Sequence, residues 1–135
     1  MSGRAVPPTA DAIVAIGREI LDGFPEELRA LVAAVPIRVQ DWPDEATLDA
    51  LGIEDPLDLT GLCRAVPLGE REGAGLPTAE PEMIFLYRLP ILFEWCERGC
   101  ALEEIVFDVL THEIAHFFGM DEDQALDLEG RGGEG

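Results

Sequence analysis

The sequence predicts an α+β fold in which a small mixed sheet packs on helices. Three observations carry that expectation. Stretches with strand character at 36–40, 62–66 and 83–88 are interspersed with helical patterns, without the regular alternation of a parallel βαβ protein. The longest helical pattern, 101–118, comes last. Apolar residues make up 47% of 135, enough for one compact core and too short a chain for two ordinary domains.

Each element follows from local chemistry. Residues 1–8 read as a flexible leader, 9–129 as a single domain and 130–135 as a flexible tail rich in glycine. Thr9 or Asp11 can cap a first helix running to about Leu21, with Ile13, Ile16, Ile20 and Leu21 on one side. Pro25 followed by Glu26 and Glu27 opens a second helix, whose apolar face is Leu28, Leu31, Val32 and Val35. Pro36–Gln40 alternates as a strand and ends at Asp41-Trp42-Pro43, before a short helix over Asp44–Leu51 stopped by Gly52. Leu62–Val66 is a second strand, Glu70–Pro81 a loop rich in Gly, Pro and charge, and Met83–Arg88 a third strand. Leu89–Cys96 suits a helical turn or short helix. Ala101–Phe118 is a helix with Glu103 and Glu104 in its first turn and Gly119 at its end.

Nine basic residues against 28 acidic ones give a formal charge of −19. Nucleic acid and anionic membranes are recognised by clustered Lys and Arg, so neither is an expected partner, while the field attracts cations. The longest apolar stretch, Met83–Trp95, is broken by Arg88, Pro90 and Glu94, so no membrane span is expected. Residues 1–17 lack the pattern of a secretory signal. Cys63, Cys96 and Cys100 are an odd set, read as free thiols of a cytoplasmic protein.

His112-Glu113-Ile114-Ala115-His116 is an HExxH motif inside the last helix, and it holds both histidines of the chain. Residues four apart on a helix stack one turn above each other, so two imidazoles can face one ion. Glu113 lies about 100° further round, where it can take a proton from water as general base. The histidines continue the stripe of Leu102, Ile105 and Val109, which predicts that they face the interior. A catalytic zinc ion ordinarily has three protein ligands and an open position. With no other histidine, the third is a carboxylate or a thiolate. Gly119 can turn the chain back, which places the acids of Asp121-Glu122-Asp123 near the site. Glu129 and Glu134 are the only glutamates or aspartates beyond Leu128. Histidine and carboxylate donors also accept manganese, iron or cobalt.

His112-Glu113-xx-His116-xx-Gly119-xx-Glu122 resembles the HExxHxxGxx(H/D) signature of metzincin-type proteases. It resembles more closely the small bacterial zincin-like family of minimal matrix-metalloproteinase-like proteins. Gly61–Leu68 and Ile84–Arg88 with Pro90 are similar to that family as well, so the likeness runs from about Ala30 to Leu128. It implies a zincin-like fold with a short cleft between sheet and zinc helix, a Zn2+ cofactor, and hydrolysis of a peptide or protein substrate. By the signature's spacing Glu122 is the third ligand, where His or Asp is usual, with Asp123 and Asp121 as alternatives. A Met-turn is absent, and Met120 is read as a core residue. The second electrophile for the oxyanion would come from Tyr87 or Arg88, at the end of the third strand. The alternative reading is a zinc-binding interaction protein without proteolysis.

Overall fold

The computed structural model describes residues 6–67 and 79–119. Helix α1, Ala10–Asp22, opens where Thr9 accepts a hydrogen bond from the Ala12 N–H at 3.1 Å. Helix α2, Glu26–Val32, follows Pro25 and turns Leu28 and Val32 inward. Leu31, expected on that inner face, is 56% exposed, because a helix of under two turns buries only a narrow stripe. Strand β1 is Ile37–Gln40, and helix α3, Glu45–Leu51, is capped by Asp44, which accepts from the Thr47 N–H at 2.8 Å. Strand β2 is Gly61–Pro67 and strand β3 is Ala79–Tyr87. Helix α4, Arg88–Arg98, follows β3 without a loop, and helix α5 is Leu102–Phe117.

The sheet is mixed and ordered β1-β3-β2, with β1 parallel and β2 antiparallel to the central β3. The α+β expectation is borne out. The expected loop 70–81 ends two residues earlier, since Ala79–Pro81 already pair with β2; the loop's residues 70–78 lie outside the described residues. A register shift opposite Arg64 and Ala65 falls at Pro81–Met83. Proline has no N–H to give the ladder, and a bulge is where a sheet accommodates that loss. The ambiguous segment 89–96 is helical because Pro90 sits in the first turn of α4, where its missing donor costs nothing.

Alternation along β3 assigns its faces. Ile84 and Leu86 join the main core with Ile13, Leu21, Val32, Ile105, Val106, Leu110 and Ile114, so α1 and α5 cover one side of the sheet. Phe85 and Tyr87 point the other way, into a smaller cluster with Leu48 and Leu59. α1 comes close to both β1 and α5 at Gly17, where a Cβ would lie 3.0 Å from Ile37 Cδ1. Trp42 is 46% exposed, and Trp95 packs at the margin of the main core. Arg88 donates through Nε to the Pro8 carbonyl at 2.8 Å, which ties the end of the expected leader to the start of α4. No described helix is long and apolar enough to cross a membrane.

Candidate active site

Helix α5 carries the whole HExxH motif, and its own chemistry explains its ends. The Ala101 N–H donates to the Glu104 carboxylate at 3.1 Å, and Glu103 and Glu104 sit at the positive end of the helix dipole. Gly119 follows the helix with φ +64°, the left-handed conformation expected there. Val109 and the helix beneath it lie against β2, and the close approach is made at Gly61. A Cβ on that residue would fall 2.5 Å from Val109 Cγ1, a separation no side chain tolerates.

His112 and His116 are both exposed, which corrects the expectation that they face the interior. Drift of this 3.5-residue stripe on a 3.6-residue helix is only about 20° per heptad, so both histidines stay on the side of Ile105 and Val109. Over the last turns it is another side, that of Leu110, Thr111, Ile114 and Ala115, that is buried. The imidazoles are left on an open flank. His112 Nδ1 lies 3.1 Å from the Asp108 carbonyl. That contact favours a proton on Nδ1 and leaves the Nε2 lone pair pointing outward, the usual arrangement of a metal-binding histidine.

Glu113 is half-buried, and its Oε1 accepts a hydrogen bond from the Cys63 N–H of β2 at 3.3 Å. Burial pushes its carboxyl above the usual carboxylate range, while the Cys63 N–H and the two imidazoles pull it back. Burial, with the Glu113 charge, pushes the Cys63 thiol up to about 11. His112 and Glu113 border a cleft of about 250 Å³ whose other walls are Thr60, Glu94, Arg98, Asp108 and Val109.

Arg98 is the cation of this cleft that sequence reasoning missed. Its Nη1 donates to Glu94 at 3.0 Å and Asp108 at 2.9 Å. The signal was available in part, since Glu94 and Arg98 are one turn apart on a helix, as an acid–base pair should be. Tyr87 and Arg88, the expected oxyanion partners, are elsewhere. Tyr87 is 2% exposed on the opposite face of the sheet, its ring stacked with Phe85 at 6.2 Å. Arg88 is held by Pro8 and by Asp41 at 3.3 Å. Side chains alternate across a strand, so Tyr87 shares the face of Phe85 and not that of Leu86, which packs toward α5. Phe117 and Phe118 meet edge to face at 5.0 Å, with Phe118 against the main core.

Two exposed imidazoles one helical turn apart suit a borderline metal such as zinc. Among the described residues no third His, Cys, Asp or Glu completes a ligand set with them. Glu122, Asp123, Asp121 and Met120 lie outside the described residues. Cys63, Cys96 and Cys100 are free thiols.

A mixed three-stranded sheet, backed by a helix that presents HExxH at an edge strand, defines a zincin-type α+β domain. The zincin-like metallopeptidase family matches residues 32–131, and the protein belongs to that family. No curated protein matches the chain.

Proposed function

We propose that the protein is a zinc-dependent metallopeptidase that cleaves peptide bonds, with His112 and His116 as metal ligands and Glu113 as general base. The observation that carries this reading is the setting of Glu113. It stands beside two exposed imidazoles at the wall of a cleft, with one oxygen held by the strand and no partner for the other among the described residues. Glu122 is the third ligand in this proposal, with Asp123 and Asp121 as alternatives.

A bound zinc ion supplies a Lewis acid that polarises a carbonyl and lowers the pKa of water toward about 7. The chain's own residues do the rest. Glu113 accepts the proton of the attacking water through its free oxygen as the new C–O bond forms. It then returns that proton to the amide nitrogen as the C–N bond breaks. Beyond the Cys63 N–H, which Glu113 takes, the outer edge of β2 suits an extended peptide or protein substrate that adds to it as a further strand. Nucleic acid and membrane are not partners in this reading, and the three free thiols fit a cytoplasmic location.

The test is metal content by elemental mass spectrometry beside hydrolysis of a mixed peptide library. The wild type should hold about one zinc per chain and cleave peptides. Glu113→Gln should keep the zinc and lose at least about a hundredfold in turnover, the low end of general-base contributions. His116→Ala should lose the metal. Zinc bound with no cleavage by the wild type would favour a non-proteolytic zinc-binding protein, and no zinc would sink both readings.

A further inference from the structure

Antiparallel strands point the main-chain groups of successive residues alternately at the partner and away from it. The Tyr87 N–H donates to the Thr60 carbonyl at 2.9 Å, so Thr60 faces β3. Leu62 and Arg64 therefore face β3 as well, and Gly61 and Cys63 face outward from the edge. An outward N–H at a sheet edge ordinarily bonds water or an added strand. Here the Cys63 N–H is taken by Glu113, from a helix 50 residues further along the chain.

A glutamate side chain has several rotatable bonds, and each must be fixed for its carboxylate to meet a water in one geometry. The strand supplies that restraint. The bond to Oε1 restrains the carboxylate, and among the described residues Oε2 has no hydrogen-bond partner. Gly61, two residues before Cys63, sets how closely α5 lies on β2 and so holds the contact within reach.

We propose that the main-chain N–H of Cys63 is the positioning group of the active site, holding the Glu113 carboxylate in the orientation that proton transfer requires. The thiol of Cys63 has no part in this role. The inference rests on the metallopeptidase reading and names a residue for that reaction which no sequence motif marks.

Cys63→Pro deletes the N–H and leaves the ladder to β3 intact, because proline is tolerated on an edge where its nitrogen faces outward. Leu62, as the residue before it, is already extended. Cys63→Ala deletes only the thiol. In the zinc-loaded protein, Cys63→Ala, which keeps the N–H, is the reference against which Cys63→Pro is read. Cys63→Pro should lower kcat about tenfold, the worth of one positioned hydrogen bond. Its KM and zinc content should stay within about twofold of wild type. Equal kcat in the two variants would overturn the proposal.

Amide hydrogen exchange read by NMR tests the contact without turnover and without any variant at Cys63. Glu113→Ala should speed exchange of the Cys63 amide at least about tenfold while Leu62 and Arg64 keep their protection. Unchanged protection at Cys63 would overturn the proposal even if Cys63→Pro failed to fold. A wild type that binds zinc, protects Cys63 through Glu113 and cleaves no peptide would mean that the metallopeptidase reading has failed and the contact has not.

Discussion

Cys63, Cys96 and Cys100 differ in their surroundings, and those surroundings set their reactivity. Cys96 is exposed on α4, whereas Cys63 is half-buried beneath the HExxH helix with its thiol raised from 9.0 to about 11. At pH about 8 that shift alone lowers the thiolate share of Cys63 about a hundredfold. Iodoacetamide followed by peptide mass spectrometry should therefore label Cys96 first and Cys63 last, with the difference erased in guanidinium. Equal rates in the native protein would contradict the burial described. The same shift affects stability. The unfolded chain loses its thiol proton first as pH rises, so the stability present below 9.0 is lost progressively between 9.0 and about 11. Thermal midpoints of wild type and Cys63→Ala, measured across that window, should show the steeper decline in wild type. At this scale the motif made His112, Glu113 and His116 legible, because helical spacing dictates which side chains share an ion. Their exposure was not legible, since it depends on which side of α5 the neighbouring elements cover over its last turns.

The contact between α5 and β2 is made by an absence, the side chain that Gly61 lacks. Adding one methyl puts a carbon 2.5 Å from Val109 Cγ1 and 3.2 Å from the Phe85 carbonyl, so helix or strand must move. Gly61→Ala should destabilise the fold by about 1–3 kcal/mol, as overpacking does. It should also lower turnover, because the shift carries Glu113 away from Cys63. Val109→Ala removes the obstructing methyls, and the double variant should recover part of both losses in a mutant cycle of denaturant midpoints and kcat. Strict additivity would show that the two residues do not touch. Most elements were readable from caps and periodicity: Thr9, Asp44 and Gly119 mark their ends by the chemistry of unpaired backbone groups. Ala79–Pro81 was not readable as strand, because proline argues against one, and only the bulge opposite β2 resolves the conflict.

Across the whole molecule, −19 formal charges confined to 135 residues repel one another in the folded state. Raising ionic strength from about 0.01 M to 0.15 M shortens the screening length from about 30 Å to about 8 Å. The melting temperature of the metal-free protein should rise by several degrees over that range, and a fall would mean that the Arg98 and Arg88 ion pairs outweigh the general repulsion. The interspersed strand and helix patterns made the α+β class legible, and composition made this repulsion legible. The strand order β1-β3-β2 was not, because it arises from which faces α1, α3 and α5 can cover at once. Without that order nothing in the chain would connect residue 63 with residue 113.

The two imidazoles are one turn apart on a single helix, whereas the bond from Cys63 to Glu113 spans 50 residues. A helical turn forms in microseconds or less, and a contact across so long a loop waits for the sheet to assemble. The spacing of the imidazoles is thus set by local winding, whereas the seating of Glu113 depends on the integrity of the whole sheet. Loosening β2 would blunt that carboxylate long before it disturbed the pair of rings.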